Sequence, residues 1–265
     1  GKDIPAEQLR SEYDAVILCT GAAKPRDTNI EGRGLSGIHF AMEYLHKNTK
    51  SLLDSNFADG NYISAKDKDV IVIGGGDTAV DCVASALRQD CKSLVQFDIY
   101  PVRPDERGPE NPWPQFPVIH KLDYGQEEAA AKFGKDPRSF ATMAIEFVGD
   151  EQGNLTGIRS TEVNARKDEN GRRIREPIPG TEKFWPAQLV FLAIGFEGPE
   201  QELLQQMNIK VNTRTCIDVP QGSYQTNQEG VFAAGDARRG ASLIVWAIQE
   251  GKEAAAECDQ YMMGR

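Results

Sequence analysis

The feature that most constrains the fold is a glycine-rich loop that lies far from the N-terminus. Residues 69–102 (DVIVIGGGDTAVDCVASALRQDCKSLVQFDIYPV) read as an apolar strand, a glycine turn, a helix and a second strand. This order is one βαβ unit, whose two strands lie parallel in one sheet. Chains that bind a single dinucleotide usually carry such a loop on their first strand. Here an earlier run, YDAVILCTGA at 13–22, already predicts a strand and a tight turn.

A strand with the same pattern follows the βαβ unit. The segments DAVILCTG (14–21) and QLVFLAIG (188–195) each place an apolar run before a small residue and a glycine. Because one precedes and the other follows a complete βαβ unit, we expect two related nucleotide-binding folds, with one inserted into the other. Between the loop and the second run, residues 144–195 predict strands, with hairpin turns at Asp150–Asn154 and Asp168–Gly171.

Three further segments complete the secondary-structure prediction. Residues 37–54 have apolar side chains at helical spacing. Residues 104–117 (PDERGPENPWPQFP) contain five prolines, which excludes a regular helix or a central strand. Residues 226–264 predict a strand, a Gly-Asp turn and a long helix. The predicted packed face of that helix consists of Ile244, Ala247, Ile248, Gly251, Ala254 and Ala255.

Charge and hydropathy exclude several classes of protein. The net charge is −10, whereas a surface that binds nucleic acid needs an excess of Lys and Arg. No apolar run approaches the length that spans a bilayer, so we expect no membrane association. The first residues lack the plan of a signal peptide, and we expect a cytoplasmic protein. The chain begins with Gly rather than Met, which suggests that it is processed or trimmed.

The cysteines argue against metal and disulfide chemistry. The chain has five, Cys19, Cys82, Cys91, Cys216 and Cys258, and none forms a CxxC pair. A zinc knuckle, a redox dithiol and an iron–sulfur cluster all need closer spacing. We therefore expect no metal site, and five reduced thiols that are mostly buried. The three histidines likewise lack metal spacing.

The glycine loop fits the requirements of a dinucleotide. Gly74, Gly76 and Ala79 fill the pattern G-x-G-x-x-A, with an additional glycine at Gly75. The first glycine permits the tight turn, the second lets backbone approach a pyrophosphate, and the small third residue lets helix pack on strand. The helix is expected to begin near Asp77 or Thr78, where free N–H groups favour an anion. The alternative is a turn that only packs helix on sheet.

The end of the second strand bears on the choice between NADPH and NADH. NAD-binding folds usually carry an acidic residue there, which accepts a hydrogen bond from the ribose. We expect this strand to end near Tyr100–Arg103, so that Asp98 comes two residues too early. Arg103 and Arg107 offer charge-assisted hydrogen bonds to a 2′-phosphate. The sequence therefore favours NADPH, with NADH as the alternative if both arginines are solvated.

A second half-site is expected near the C-terminus. Asp236 follows Gly235 at the end of a strand and precedes a helix expected to start near Ala241. A carboxylate there can accept a hydrogen bond from a ribitol hydroxyl, and the helix start stabilises negative charge on a flavin. The residues expected at the flavin are Gly235, Asp236, Ser242, Leu243 and Ile244. The alternative role for Asp236 is a helix cap.

Several motifs together resemble one family. They are GGGDTAVDC, ENPWPQFP, DYGQEEA, LAIGFEGPE and GVFAAGDARRGASLIVWAIQEGKEAA. In this combination, over essentially the whole chain, the sequence is similar to the small (beta) subunit of NAD(P)H-dependent glutamate synthase. The resemblance implies an α/β, two-dinucleotide-binding-domain flavoprotein fold, in which a Rossmann-like NAD(P)H-binding domain is inserted into a partial FAD-binding domain.

The resemblance also implies a division into domains. Residues 1–65 would be a segment of the FAD-binding domain and a connector, and residues 66–196 the NAD(P)H-binding domain with its Pro-rich insert. Residues 197–265 would be the C-terminal FAD-binding segment. Family members also carry iron–sulfur cysteines and a first glycine loop for FAD, which are not found before residue 13. We therefore expect a fragment that keeps NADPH binding, with FAD held by the full-length subunit rather than stably by this chain.

The implied activity is electron input to glutamate biosynthesis. The intact subunit would be an NAD(P)H-dependent oxidoreductase that takes a hydride from NADPH onto FAD and passes electrons to a large (alpha) subunit, which forms glutamate. The cofactors supply this chemistry, so no catalytic side chain is expected. The alternatives are an electron-transfer flavoprotein subunit of another iron–sulfur oxidoreductase, and a non-catalytic NADPH-binding module. A disulfide reductase is disfavoured because no CxxC pair is present.

Overall fold

A computed structural model describes residues 1–167, 169 and 173–264. Its helices are α1 (Ala6–Glu12), α2 (Ala41–Ser55), α3 (Asp77–Arg88), α4 (Tyr124–Phe133), α5 (Gln201–Gln206), α6 (Asp236–Arg239) and α7 (Ile244–Met262). Its strands are β1 (Val16–Leu18), β2 (Lys24–Pro25), β3 (Ile38–Phe40), β4 (Asp69–Ile73), β5 (Ser93–Phe97), β6 (Arg138–Ser139), β7 (Thr142–Gly149), β8 (Leu155–Lys167), β9 (Arg173–Pro177), β10 (Lys183–Pro186), β11 (Leu189–Leu192), β12 (Phe196–Gly198) and β13 (Val231–Ala233).

The chain divides into two compact units. Unit 1 is made from both ends of the chain, Gly1–Arg26 and Gly195–Arg265, and unit 2 is the continuous segment Asp27–Ile194. One unit thus interrupts the other along the chain, as the two similar apolar runs predict. The first run forms β1 in unit 1, and the second forms β11 in unit 2.

Unit 2 is built on a parallel sheet of five strands in the order β3-β11-β4-β5-β6. The central strand β4 is apolar from Val70 to Ile73 and is covered on both faces, as expected of a parallel sheet. Helix α3 connects β4 to β5, which confirms the predicted βαβ unit. The ring of Tyr44 in α2 stacks on that of Phe191 in β11, with centroids 3.8 Å apart, inside the core that joins this helix to the sheet.

A second, antiparallel sheet of unit 2 follows the order β10-β8-β7, and β9 pairs with β8. The predicted turn at Asp150–Asn154 is confirmed, since the N–H of Asp150 donates to the carbonyl of Asn154. The predicted turn at Asp168–Gly171 lies outside the described residues. Within 104–117 the structure assigns neither helix nor strand, as the five prolines require.

The boundary between the units differs from the predicted one. We expected residues 27–65 to belong with the N-terminal segment, but they lie in unit 2. The reason is β3, which pairs in parallel with β11 through Ile38 and Val190 and so extends the central sheet. A three-residue strand leading directly into a helix leaves no alternation in the sequence by which to recognise it.

Unit 1 joins distant parts of the chain. Strand β1 pairs in parallel with β13, and β2 pairs with β12. The core of this unit contains Leu18, Leu204, Met207, Ile217 and Val231. Helix α7 packs on β1 and β13.

Candidate functional site

The glycine loop between β4 and α3 has a different constraint at each glycine. Gly74 has φ +141°, a region that side chains rarely adopt, and a Cβ there would overlap the carbonyl oxygen of Ala193. At Gly75 a Cβ would lie 2.6 Å from an oxygen of the Asp98 carboxylate. At Gly76 a Cβ would meet no atom within 4 Å. The first two glycines are therefore required by the fold, whereas Gly76 leaves open space beside the loop.

That open space lies at the start of α3. Gly76 is the N-cap residue, and Asp77 and Thr78 form the first turn. The Gly76 carbonyl accepts hydrogen bonds from the N–H groups of Ala79 and Val80, whereas the first N–H groups of a helix have no intrahelical acceptor. Bare backbone donors, the positive end of the helix dipole and a missing side chain together suit an anion such as a pyrophosphate.

Asp98 lies beside this loop. The prediction that it comes two residues too early in the chain is therefore wrong. Strand β5 ends at Phe97 rather than near Arg103, so Asp98 is the first residue after the strand. Its side chain is buried against Gly75, and one carboxylate oxygen accepts from the N–H of Tyr100 at 3.0 Å. The turn that follows β5 bends early because its backbone pairs with Ser139 and Thr142.

A cavity of about 230 Å³ opens beside the loop. Gly75, Gly76 and Asp77 form one side of it, and Arg103 lies on the wall. Its other basic residues are His120, Lys121 and Arg138, none of which the sequence analysis selected. Arg107 is not among the lining residues; its guanidinium donates to the carbonyl of Asn111 at 3.4 Å. The structure thus brings Arg103, but not Arg107, to the glycine loop.

Arg138 is held firmly in this cavity wall. Its side chain is only 10 % exposed, and Asp136 accepts from its Nε at 3.0 Å and from its Nη2 at 2.7 Å. Burial alone would raise the pKa of Asp136, but the hydrogen bonds and charge of Arg138 outweigh it and hold that pKa below its usual value. The guanidinium also lies over the ring of Phe140, 4.8 Å from its centroid. Arg138 is therefore a fixed part of the wall, with its charge paired to Asp136.

The Pro-rich segment supplies part of the same wall. Phe116 lines the cavity together with Ile119, although much of its ring is exposed. Trp113 does not line it and is 83 % exposed. An aromatic ring beside arginines is a suitable surface for a purine base.

A larger and mostly apolar cavity lies at the carboxyl ends of the parallel strands. Its volume is about 510 Å³, and it includes Ile73 at the end of β4, Phe97 at the end of β5 and Leu192 at the end of β11. Gly74 also lines it, so it begins at the glycine loop. Ligands of open α/β sheets bind outside this edge. The cavity can take a flat, uncharged ring, and no sequence motif pointed to it.

The second half-site, in unit 1, differs from the expected geometry. Gly235 has φ +67° and caps the short helix α6, which begins at Asp236, and α7 begins only at Ile244. The sequence predicted one helix starting near Ala241. The structure instead has the short helix α6 before that position and α7 after it. Asp236 accepts from the hydroxyl of Ser242 at 3.3 Å, which ties the two helix starts together.

The turn at Gly235 is held by a buried carboxylate that the sequence analysis missed. Glu250 in α7 is 1 % exposed and accepts from the N–H of Gly235 at 2.9 Å. It also pairs with Arg238 at 2.9 Å and with Arg239 at 2.7 Å. In the sequence, the signals for this cluster are the paired arginines that follow the Gly-Asp turn and a glutamate 11 residues after Arg239.

The predicted packed face of α7 is wrong at Ile244, Ile248 and Ala255, which are exposed, whereas Ala254 is buried as predicted. Ile244 is 74 % exposed and Ile248 is 54 % exposed, while the buried positions are Glu250, Ala254 and Cys258. The helix packs on β1 and β13, and near its end the ring of Tyr261 contacts that of Phe232 in β13. Leu243, Ile244 and Trp246 therefore present an exposed apolar surface beside Asp236.

Other expectations concern the thiols, metals and membranes. All five cysteines are free and four are buried, as predicted, and burial raises the pKa of Cys91 to about 11. In the described ranges, no group of three or more His, Cys, Asp or Glu side chains has a geometry that holds a metal ion. None of the helices within those ranges is long and apolar enough to cross a membrane.

Comparisons with known proteins agree on the family. A model of the pyridine nucleotide-disulphide oxidoreductase family matches residues 3–251. The chain is 55 % identical over 265 residues to a protein named glutamate synthase [NADPH] small chain of Bacillus subtilis, covering 100 % of this chain and 53 % of that protein. It is 48 % identical over 263 residues to glutamate synthase [NADH] of Schizosaccharomyces pombe, covering 99 % of this chain and 12 % of that protein. The predicted resemblance is confirmed.

Solved structures show the same fold. FprA from Mycobacterium tuberculosis in complex with NADPH superposes with a TM-score of 0.69 at 17 % identity, covering 97 % of this chain and 66 % of that chain. Thioredoxin reductase of T. acidophilum gives a TM-score of 0.57 at 20 % identity, with 94 % and 66 % covered. These confirm the predicted α/β, two-dinucleotide-binding-domain fold. The chain spans about half the length of the small-chain relatives that it matches.

Proposed function

The chain belongs to the pyridine nucleotide-disulphide oxidoreductase family, and from this premise we propose that it is the NADPH-binding part of a glutamate synthase small subunit. The whole protein would be the electron-input subunit of that enzyme. The observation that carries the proposal is the open side of Gly76 at the start of α3, next to a cavity with Arg103 on its wall. No other described feature combines bare backbone donors with a basic wall in this way.

Different residues of unit 2 would bind different parts of NADPH. The first turn of α3 would hold the pyrophosphate, while Arg103, Lys121 and Arg138 would receive the 2′-phosphate of the adenosine half. The apolar cavity at Ile73, Phe97 and Leu192 would receive the nicotinamide ring and keep water from it. Asp98 lines the same cavity directly after β5, where NAD-binding folds carry an acidic residue, so the preference for NADPH in this proposal rests on Arg103 and the other basic residues of the wall.

The residues of unit 1 fit one part of a flavin site. Asp236 offers a carboxylate beside an exposed helix start, and Glu250 fixes the turn that carries it. When bound, NADPH supplies a hydride that FAD can accept. Side chains of this chain would bind and orient the cofactors, and none needs to act as acid or base. The partner of the whole protein would be a large subunit that forms glutamate, as the names of the relatives suggest.

The proposal is tested by titrating the purified chain with NADPH and with NADH in a calorimeter. We expect NADPH to bind at least about tenfold more tightly, which corresponds to about 1.4 kcal/mol. Arg103→Gln should reduce NADPH affinity by about tenfold and leave NADH affinity unchanged. Arg107→Gln is the matched control, and it should change neither.

Two results would contradict the proposal. Equal affinity for both nucleotides, unaffected by Arg103→Gln, would mean that the cavity does not receive a 2′-phosphate. Binding of neither nucleotide would leave the glycine loop a structural turn. A visible absorption spectrum recorded beforehand reports separately on flavin.

A further inference from the structure

A pocket in unit 1 lies apart from the two cavities proposed for NADPH, and part of its wall, residues 239–241, lies between Asp236 and Ser242 of the proposed flavin half-site. Its volume is about 330 Å³, and three arginines from distant segments line it: Arg26, Arg214 and Arg239. Thr213, Thr215 and the backbone of Gly240 complete much of its wall. None of its lining residues lines the dinucleotide cavity or the apolar cavity of unit 2.

Each arginine is anchored by a single donor atom. Arg26 donates from Nε to the carbonyl of Phe196 at 3.0 Å, and Arg214 from Nη2 to the carbonyl of Arg239 at 3.3 Å. Arg239 donates from Nε to Glu250 at 2.7 Å, and its guanidinium lies over the ring of Trp246. A guanidinium has five N–H donors, so each side chain is oriented while most of its donors stay free.

The charges around this pocket do not balance. Its one acidic lining residue is Glu197, which pairs with Lys24 at 2.7 Å. Glu250 is shared between Arg238 and Arg239. Within the described part of the chain, Arg26 and Arg214 have no carboxylate within 4.0 Å. Three arginines therefore line one pocket with a single acidic residue, in a protein whose net charge is −10, and this local excess of positive charge attracts an anion.

We propose that this pocket binds a phosphoryl group. Arginine forks match the tetrahedral oxygens of phosphate with paired hydrogen bonds, and threonine hydroxyls are common additional donors. The excess positive charge of the lining suits a dianion better than a single carboxylate. The phosphoryl group is that of free phosphate or of a larger phosphate ester.

The test is a titration of the purified chain with sodium phosphate at constant ionic strength, followed by calorimetry and thermal unfolding. At tenfold excess over the dissociation constant, we expect the unfolding temperature of unit 1 to rise by about 6–11 °C. Arg214→Gln and Arg26→Gln should each abolish the rise. Arg159→Gln is the control, because Arg159 is an exposed, paired arginine of unit 2.

The arms of the experiment separate the outcomes. Glutarate at the same concentration should have no effect, and an effect equal to that of phosphate would overturn the phosphoryl assignment. A phosphate response that both arginine variants retain would show that the pocket is not the site. If FMN binds more tightly than phosphate and riboflavin does not bind, the ligand is a phosphate ester. If FMN and phosphate bind equally tightly, the ligand is free phosphate. The titration needs no NADPH, so its failure is distinct from failure of the proposed function.

Discussion

Two glycines of the loop, Gly74 and Gly76, allow the effect of a substitution on stability to be separated from its effect on NADPH binding. Gly74→Ala should destabilise the chain by at least about 1–3 kcal/mol, because the new Cβ overlaps the Ala193 carbonyl at a left-handed φ. Gly76→Ala should leave stability almost unchanged, since its Cβ meets nothing, and should weaken NADPH binding by about tenfold or more. Urea unfolding and nucleotide titration measure the two effects.

The control for this pair is Gly251→Ala, at a helical position where a Cβ also meets no atom. It should leave NADPH affinity unchanged and raise the free energy of unfolding by about 0.5–1 kcal/mol, because alanine favours a helix interior more than glycine does. Full NADPH affinity in Gly76→Ala would show that the pyrophosphate does not approach the backbone there.

Asp136 makes the stability of unit 2 depend on pH. Its pKa is lowered in the folded chain, so the folded state favours the ionised carboxylate. This stabilisation is present above the unfolded pKa of about 3.9 and is lost as the pH falls through the lower folded pKa. Asp136→Asn should cost about 1–3 kcal/mol at pH 7, because Arg138 loses its partner.

The difference in unfolding free energy between the wild type and Asp136→Asn should shrink as the pH is lowered below about 4. Urea denaturation at several pH values measures it, with the exposed Asp105→Asn as the control. A difference that stays constant down to pH 2 would contradict the assigned pairing. Asp136→Asn should also weaken NADPH binding, since Arg138 lines the cavity.

At the scale of elements, α7 depends on the buried carboxylate of Glu250. Glu250→Gln leaves Arg238 and Arg239 without their common partner, and we expect a loss of about 3 kcal/mol. Lys252→Gln, on the exposed face of the same helix, should have little effect. Thermal and urea unfolding of both variants measure these effects. If Glu250→Gln is as stable as the wild type, the turn at Gly235 does not need the carboxylate.

Elements with strong local signals were predictable. The strand, loop and helix at 69–88 follow from apolar runs and glycine spacing, and the irregular segment 104–117 follows from its prolines. The end of β5 was misplaced because Ile99 and Tyr100 continue the apolar run, while the actual end is fixed by hydrogen bonds of Asp98 to Ser139 and Thr142. Likewise, no local pattern reveals that Arg138, forty residues from β5, lies beside the loop, because only the parallel pairing of β5 with β6 brings it there.

At the scale of the whole molecule, unit 2 should fold and bind NADPH without unit 1. Every residue of the glycine loop and both cavities lies within 27–194, which is one continuous segment with its own core. We expect the isolated segment to bind NADPH within about threefold of the affinity of the full chain, a difference below about 1 kcal/mol. Cooperative unfolding and calorimetry test this, and loss of binding in a folded segment would contradict it.

The pairing of β1 with β13 has a consequence for synthesis on the ribosome. Ala233, the register partner of Leu18, is synthesised roughly 215 residues later. At about 5–20 residues per second the delay is about 10–40 s, far longer than the folding time of most small domains. Unit 2 is therefore synthesised in full, with time to fold, before β13 can pair with β1 and complete this part of unit 1.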